Sequence, residues 1–148
     1  MKRNWLFQND HSKYNLEGYL KKCDILHWQV RGKNVSMGDT AYFFECSPNY
    51  RICAIGQVIS QPVEMLKNDC ENPFILSEGR RNLLLRVKVE ITNVLEEHIS
   101  IFDLDNNPIL NNNKLIRNIL IKGRSLPGPT FKMTKTEAET LENIIKGY

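Results

Sequence analysis

The sequence has 148 residues, of which 41% are hydrophobic and 25% are charged, and its formal net charge is +3. A chain of this length can bury a sizeable core without a stabilising metal or disulfide, so we expect one domain over residues 1–148. No segment is apolar for long enough to span a bilayer or to serve as a secretory signal, which predicts a cytoplasmic protein without membrane contacts. The small basic excess is compatible with nucleic-acid binding but does not establish it.

The cysteines predict neither a metal site nor a disulfide. Cys23, Cys46, Cys53 and Cys70 contain no CxxC pair, and Cys23 with His27 would supply two ligands at most. Cys46 and Cys53 flank a turn and could approach each other across a hairpin. In a cytoplasmic protein we expect all four thiols to stay reduced.

The first half of the chain predicts short strands around one short helix. The helix is expected at residues 15–22, where apolar residues recur at helical spacing. The strand expected at residues 51–60 is apolar on both faces, which is typical of a strand buried from both sides or in a small barrel wall. Gly56 in its middle indicates a bulge or a close approach. The strands are expected at residues 4–8, 25–30, 40–46 and 51–60.

The second half begins with an irregular, polar segment at residues 61–81, which predicts a long functional loop. Residues 82–92 alternate apolar and polar side chains and form the clearest strand, and residues 98–104 are a further strand candidate. A short helix near residues 115–120 and a terminal helix that begins with a Thr134–Glu137 capping box complete the pattern. Five or six mostly antiparallel strands with three short helices favour an α+β domain, or a small open barrel with helices around it.

Sequence motifs of the familiar enzyme classes are absent: there is no GxSxG, P-loop, dinucleotide fingerprint or HExxH. Asp103 and Asp105 share a strand face by parity, but they adjoin an Asn-Asn-Pro turn and are best explained as solvated turn residues. A nucleophilic Cys46 or Cys53 would need a nearby histidine, which sequence alone does not place. We therefore predict no enzymatic activity and no cofactor.

Trp28 is the aromatic residue whose role the residues themselves leave open. It stands at the start of a polar loop, and His27, Gln29 and Arg31 lie beside it. A β-domain core would take up most of the other aromatic side chains. Trp28 can be either a core residue or a surface on which a ligand stacks.

Five segments together resemble a known family. They are NWLFQ, HWQVRGKN, MGDTAYFFECSP, ICAIGQVISQP and TFKMTKTEAETL, and they occur in this order over nearly the whole chain. Their order and spacing resemble the EVE domain of the PUA-like superfamily, a relative of YTH domains. In that family a tryptophan in the first strand is followed by a second tryptophan, a Gly-Asp turn into an aromatic strand, and a last helix that starts with Thr-x-x-Glu.

The resemblance implies a small PUA-like β-barrel flanked by short helices, with an aromatic pocket for a methylated or hydroxymethylated base flipped out of DNA or RNA. Trp28 matches the pocket tryptophan of the family. Gln8, Asn9 and Asp10 match positions whose polar groups read the base edge, and Gln29 follows the pocket tryptophan. Three further aromatic residues come from regions that border the pocket in relatives: Phe44, Phe74 and Phe131.

The expected function is that of a non-catalytic reader of a modified base, in a defence or restriction system or in RNA metabolism, with a separate effector such as a nuclease. Two alternatives stay open: an ASCH-type enzyme that hydrolyses an amide on a modified nucleoside, and a protein-interaction domain with a vestigial pocket. Residues 63–79 have no clear counterpart in the family, and we expect them to reshape the pocket or to contact a partner. The candidates for phosphate contacts are Arg31, Lys33, Arg51, Arg80 and Arg81.

Overall fold

Seven strands pair into one sheet in the computed structural model, which describes residues 2–10, 12–32, 34–46, 49–77, 79 and 82–147. Their spatial order is β2-β6-β4-β3-β1-β7, and β5 pairs with β6 beside this path. β1 runs parallel to β3, whereas the other pairs are antiparallel. The predicted α+β class with mostly antiparallel strands is confirmed. The strands are β1 (Asn4–Asn9), β2 (Ile25–Gln29), β3 (Thr40–Glu45), β4 (Arg51–Val58), β5 (Val63–Met65), β6 (Leu84–Ser100) and β7 (Thr130–Met133).

In the described part of the chain, three α-helices accompany the sheet: α1 (Leu16–Leu20), α2 (Lys114–Lys122) and α3 (Lys135–Ile145). The capping box predicted at the start of α3 is confirmed, because the Thr134 side chain accepts from the Glu137 backbone N–H and the Glu137 carboxylate accepts from the Thr134 N–H. Short 3₁₀ segments occur at Asp69–Phe74, Ile101–Leu104 and Leu110–Asn112.

The chain from residue 61 to residue 104 departs from the sequence prediction. The segment expected to be an irregular loop contains β5 and the 3₁₀ segment Asp69–Phe74. The strand expected at residues 98–104 was wrong in its second half, since β6 runs without a break to Ser100 and Ile101–Leu104 is helical. Ser100 and Asp103 form a capping box, which satisfies the first backbone donors of a helix rather than those of a strand. Asp103 is therefore a helix cap, not one of two carboxylates on a strand.

The two faces of the sheet bury separate hydrophobic cores. Phe7 and Phe43 lie in a first core, which also holds Trp28. Leu6 and Phe44, their neighbours in the chain, lie in a second core with the apolar faces of α2 and α3. Because side chains alternate across a strand, each of β1 and β3 contributes to both cores. Trp28 is thus on the same side of the sheet as Phe7 and Phe43.

Gly56 lies where β4 packs most closely against its neighbours. A Cβ atom at this position would lie 2.7 Å from Val89 Cγ1 and 3.0 Å from Phe43 Cε2. The β4–β6 register also shifts between Ile55 and Gly56. The close approach and the irregularity that the sequence predicted at this glycine are both present.

A disulfide links Cys23, just after α1, to Cys70 in the 3₁₀ segment Asp69–Phe74. Cys46 and Cys53 are free thiols. The expectation that all four cysteines are reduced was therefore wrong for one pair. The two partners are 47 residues apart in sequence and meet only because the 3₁₀ segment folds against α1, which local sequence patterns do not reveal.

Candidate nucleic-acid interface

An open cavity of about 750 Å³ lies where β1 and β2 end. Gln8 and Asp10 line it from the end of β1, and Gln29 and Arg31 line it from the end of β2. The loop at residues 125–129, which leads into β7, forms another wall. The fold thus brings together four residues that the sequence assigned to the base pocket or its phosphate contacts. Lys13 also lines the cavity, and the sequence analysis missed it.

Trp28 lies behind this cavity and is 4% exposed. Its indole stacks on the Phe7 ring at a centroid distance of 5.8 Å and meets the Phe43 ring edge-on at 5.1 Å. The indole Nε1 donates to the Pro129 carbonyl at 3.4 Å. Trp28 is therefore a packed core residue that also borders a recess next to the cavity, and its role as a stacking surface stays a prediction.

The recess beside Trp28 has a volume of about 10 Å³. That is the space of about one water molecule, so it cannot hold a base. The recess and the large cavity share Gln8, Gln29 and Pro129, so the two adjoin. Its full lining is Gln8, Asn9, Tyr14, Trp28, Gln29, Lys67 and Pro129.

A buried cluster around Glu71 includes two residues that line this recess, Tyr14 and Lys67. The fully buried Glu71 carboxylate accepts hydrogen bonds from the Tyr14 hydroxyl at 2.8 Å and from the backbone N–H groups of His27 and Asn68 at 3.0 Å each. Lys67 Nζ lies 3.2 Å from the same carboxylate and 4.3 Å from the centre of the Tyr14 ring. Burial, together with the neighbouring Glu71 charge, raises the pKa of Tyr14 far above its ordinary value, so this hydroxyl is a permanent donor.

The sequence assigned neither Lys67 nor Glu71 to the base pocket, and it indicated Glu71 only as one of two loop carboxylates, with Asp69. Lysine and glutamate are seldom buried, and the pair lies in a segment that looks polar and irregular. Their i,i+4 spacing was the one local sign that the side chains could meet.

The Gln8 side chain is engaged by the loop at residues 125–129. Its Nε2 donates to the carbonyls of Leu126 at 2.8 Å and Gly128 at 2.9 Å, and its Oε1 accepts from the Ser125 hydroxyl. Gln8 therefore holds in place the loop that forms this wall of the cavity. Reading a base edge with this amide would require the loop to release it.

The other two polar candidates of β1 are also held within the chain. Asn9 is 4% exposed and donates from Nδ2 to the Tyr14 carbonyl at 2.9 Å. Asp10 accepts from the backbone and the hydroxyl of Ser12 at 3.0 and 2.7 Å, and its carboxylate is 4.0 Å from Lys13 Nζ. Asn9 faces the recess, whereas Asp10 faces the open cavity.

The three additional aromatic candidates are not among the residues that line the cavity or the recess. Phe44 is fully buried in the second core, across the sheet from Trp28. Phe74 packs edge-on against Tyr19 of α1, with ring centroids 6.4 Å apart. Phe131 also packs on the second core. A Cβ atom at Gly128 would lie 3.6 Å from its ring, so Phe131 lies close to the loop that forms one wall of the cavity.

The basic residues predicted to contact phosphates differ in their exposure and in their ion pairs. Arg31 is exposed and lines the cavity. Arg51 is held in ion pairs with Glu45 at 3.4 Å and Glu17 at 3.5 Å. Lys33, Arg80 and Arg81 lie outside the described residues.

Cys46 is the thiol that lines the cavity. Burial, with contributions from the nearby Asp10 and Glu45 charges, raises its pKa to about 11, while its contact with the Ser125 hydroxyl acts in the opposite direction. At neutral pH only about one Cys46 side chain in ten thousand is then a thiolate. This environment disfavours the nucleophilic form of the thiol.

The mixed sheet, the helices packed on it and the cavity at the strand ends define a PUA-like α+β fold, in agreement with the sequence prediction. The EVE domain family model matches residues 3–143. The chain therefore belongs to the EVE domain family. No curated protein sequence matches it at a significant level.

Several solved structures share the fold. A hypothetical protein from Leishmania major aligns over 99% of this chain and 96% of its own, with a TM-score of 0.69 and 12% identity. Protein PSPTO5229 from Pseudomonas syringae aligns over 96% and 99%, with a TM-score of 0.65 and 13% identity. Human THYN1 protein, in complex with 5-methylcytosine containing DNA, aligns over 98% of both chains, with a TM-score of 0.66 and 12% identity. At these identities the likeness shows the fold alone.

The described residues contain no candidate membrane span and no candidate metal site. None of the helices has the length and apolar character needed to cross a membrane. Within the same residues, no three or more His, Cys, Asp or Glu side chains are grouped so that they could hold a metal ion.

Proposed function

We propose that this EVE domain binds DNA and recognises a modified base that enters the 750 Å³ cavity at the ends of β1 and β2. The observation that carries the proposal is the position of this cavity, which is large enough for a base, adjoins the Trp28 recess and has the exposed Arg31 at its edge. The DNA complex of human THYN1, which shares the fold, supports the same assignment.

In this proposal Trp28 is a rigid wall next to the recess, and the packing of Phe7 and Phe43 fixes its orientation. Arg31 contacts a phosphate beside the flipped nucleotide, since flipping costs a few kcal/mol that backbone contacts help to offset. Gln29 and Asp10 face the base from the strand ends. Arg51 contributes less, because Glu17 and Glu45 already neutralise it.

The proposal includes a non-enzymatic role in the cytoplasm, with a separate effector such as a nuclease acting on the bound site. The high pKa of Cys46 supports the absence of nucleophilic catalysis at the cavity. The Lys67–Glu71 ion pair contains two of the side chains that amide hydrolysis would need. However, Glu71 already accepts three further hydrogen bonds, which favours a structural role for it.

Fluorescence anisotropy with labelled oligonucleotides tests this function. Duplex DNA, single-stranded DNA and RNA of one sequence would carry cytosine, 5-methylcytosine or 5-hydroxymethylcytosine at a single central position. We expect tighter binding to DNA that contains the modified base. Equal affinities for modified and unmodified strands in all three formats would refute the proposal.

The phosphate contact is tested by a salt titration of the same binding. Arg31→Ala should reduce the slope of log K against log salt by about one unit, as for the loss of one phosphate contact. Arg117→Ala is the matched control, because Arg117 is exposed on α2 and does not line the cavity. An Arg31→Ala slope equal to that of the control would remove Arg31 from the interface.

A further inference from the structure

We propose that the recess beside Trp28 is a subsite for an oxygen-bearing substituent of the recognised base, such as a hydroxymethyl group, and that Lys67 is the residue that selects it. This inference rests on the proposed function, since it assigns a specificity to the same site. It makes Lys67, rather than Gln8 or Trp28, the side chain that distinguishes one modification from another.

The size of the recess limits what can enter it. Its volume of about 10 Å³ matches a single group as large as a water molecule. The base ring must therefore stay in the large cavity, where there is room for it, and only the end of a substituent can pass into the recess. A hydroxyl group is about the size of a water molecule, so a hydroxymethyl group places its oxygen in the recess and its carbon at the entrance.

The chemistry of the recess favours an oxygen over a methyl group. Lys67 Nζ is 5.2 Å from the centre of the Trp28 ring and 4.3 Å from that of Tyr14, which places the ammonium next to both rings. Its side chain is only 6% exposed, so the charge lies in a largely dry environment. An ammonium donates hydrogen bonds and accepts none, which suits a hydroxyl oxygen. A methyl group there would offer no acceptor to the ammonium.

Glu71 keeps Lys67 in place and has three further hydrogen-bond donors of its own. The carboxylate also accepts from the Tyr14 hydroxyl and from two backbone N–H groups, so it keeps three donors when the ammonium is removed. Lys67→Met retains most of the apolar stem and removes the charged donor. This variant therefore removes the ammonium from the recess, while the carboxylate keeps its hydrogen bonds from Tyr14, His27 and Asn68.

The test compares three oligonucleotides that differ at one position: cytosine, 5-methylcytosine and 5-hydroxymethylcytosine. Affinities are measured by anisotropy at one fixed salt concentration for the wild type, Lys67→Met and the control Lys135→Met. Lys135 is 89% exposed on α3, so its substitution removes the same charge away from the recess. Circular dichroism and thermal melting report whether each variant is folded.

We expect the wild type to bind the hydroxymethylated strand about tenfold more tightly than the methylated strand, as for one hydrogen bond to a charged donor. Lys67→Met should bring the ratio to within about twofold, whereas Lys135→Met should leave it unchanged. A wild-type preference for the methylated strand, or no preference between the two, overturns the subsite even if Lys67→Met does not fold. A folded Lys67→Met protein that retains the tenfold ratio overturns the role of Lys67. If neither modified strand binds better than cytosine, the proposed function itself fails.

Discussion

Replacement of Glu71 by alanine tests whether the buried cluster holds the pocket region together. The carboxylate accepts from the Tyr14 hydroxyl, from the His27 N–H of β2 and from the Asn68 N–H before the 3₁₀ segment, and it pairs with Lys67. It therefore joins three parts of the chain that are distant in sequence. Its removal leaves a buried ammonium without this partner and three donors without their acceptor.

The size of the effect follows from these contacts. Removing one member of a buried ion pair costs about 3–5 kcal/mol, because the remaining charge stays in a poorly solvated place. A buried donor that loses its acceptor adds about 1–3 kcal/mol, but these penalties overlap, since one carboxylate serves all the contacts. We expect the free energy of unfolding to fall by about 4 kcal/mol, which is a large share of the 5–15 kcal/mol typical of a domain.

Urea unfolding followed by tryptophan fluorescence measures this change, because Trp5 and Trp28 are both buried in the folded protein. Glu139→Ala is the matched control: its ion pair with Lys135 spans 3.9 Å on the surface of α3 and should contribute less than about 1 kcal/mol. A loss below about 1 kcal/mol for Glu71→Ala would refute the reasoning, since it would mean that the cluster is solvated or that its donors find other acceptors.

Four further predictions concern stability, and all can be measured by urea unfolding. Gly56→Ala should destabilise by about 1–3 kcal/mol because its Cβ would overlap Val89, whereas Gly79→Ala, which has room for the atom, should be close to neutral. Reduction of the Cys23–Cys70 disulfide should lower the free energy of unfolding by about 4 kcal/mol, the chain-entropy value for a loop of this length; an unchanged urea midpoint in dithiothreitol would contradict this. Trp28→Ala should lower the free energy of unfolding by about 3–5 kcal/mol, so Trp28→Phe is the better variant for binding studies. The pKa of Cys46 is raised from 9.0 to about 11 in the folded state. The contribution of this thiol to the free energy of unfolding is therefore fully present below pH 9 and is lost as the pH rises towards about 11. Cys46→Ala should flatten this part of the plot of stability against pH.

The features that the sequence predicted are those governed by local physics. Alternation along β1 separates Phe7 from Leu6, and alternation along β3 separates Phe43 from Phe44, as the two cores require. The capping box that starts α3 is equally local, because all its hydrogen bonds lie within four residues. Such patterns can be read from neighbouring residues without knowledge of the fold.

The features that the sequence did not predict depend on contacts across the chain. The disulfide and the Glu71 cluster both lie in the segment at residues 63–79, whose polar composition indicates a solvated loop. Glu71 of this segment is instead buried, where it accepts from the His27 N–H of β2 and from the Tyr14 hydroxyl. Composition describes how a residue is usually placed, and this segment differs because its charged groups have partners elsewhere in the fold.

The division of roles around the recess follows from the chemical group that each side chain presents there. Reading a base edge with Gln8 would break its two bonds to the loop carbonyls and the one from Ser125, each worth about 0.5–1.5 kcal/mol net. Trp28 is fixed on three sides by aromatic rings and offers a wall without a hydrogen-bond acceptor. Lys67 borders the same recess with a group that can donate to a ligand oxygen while Glu71 holds it in position. We therefore expect substitutions of Gln8 to loosen the loop and weaken binding to every modified base equally, and only substitutions of Lys67 to change which modification is preferred.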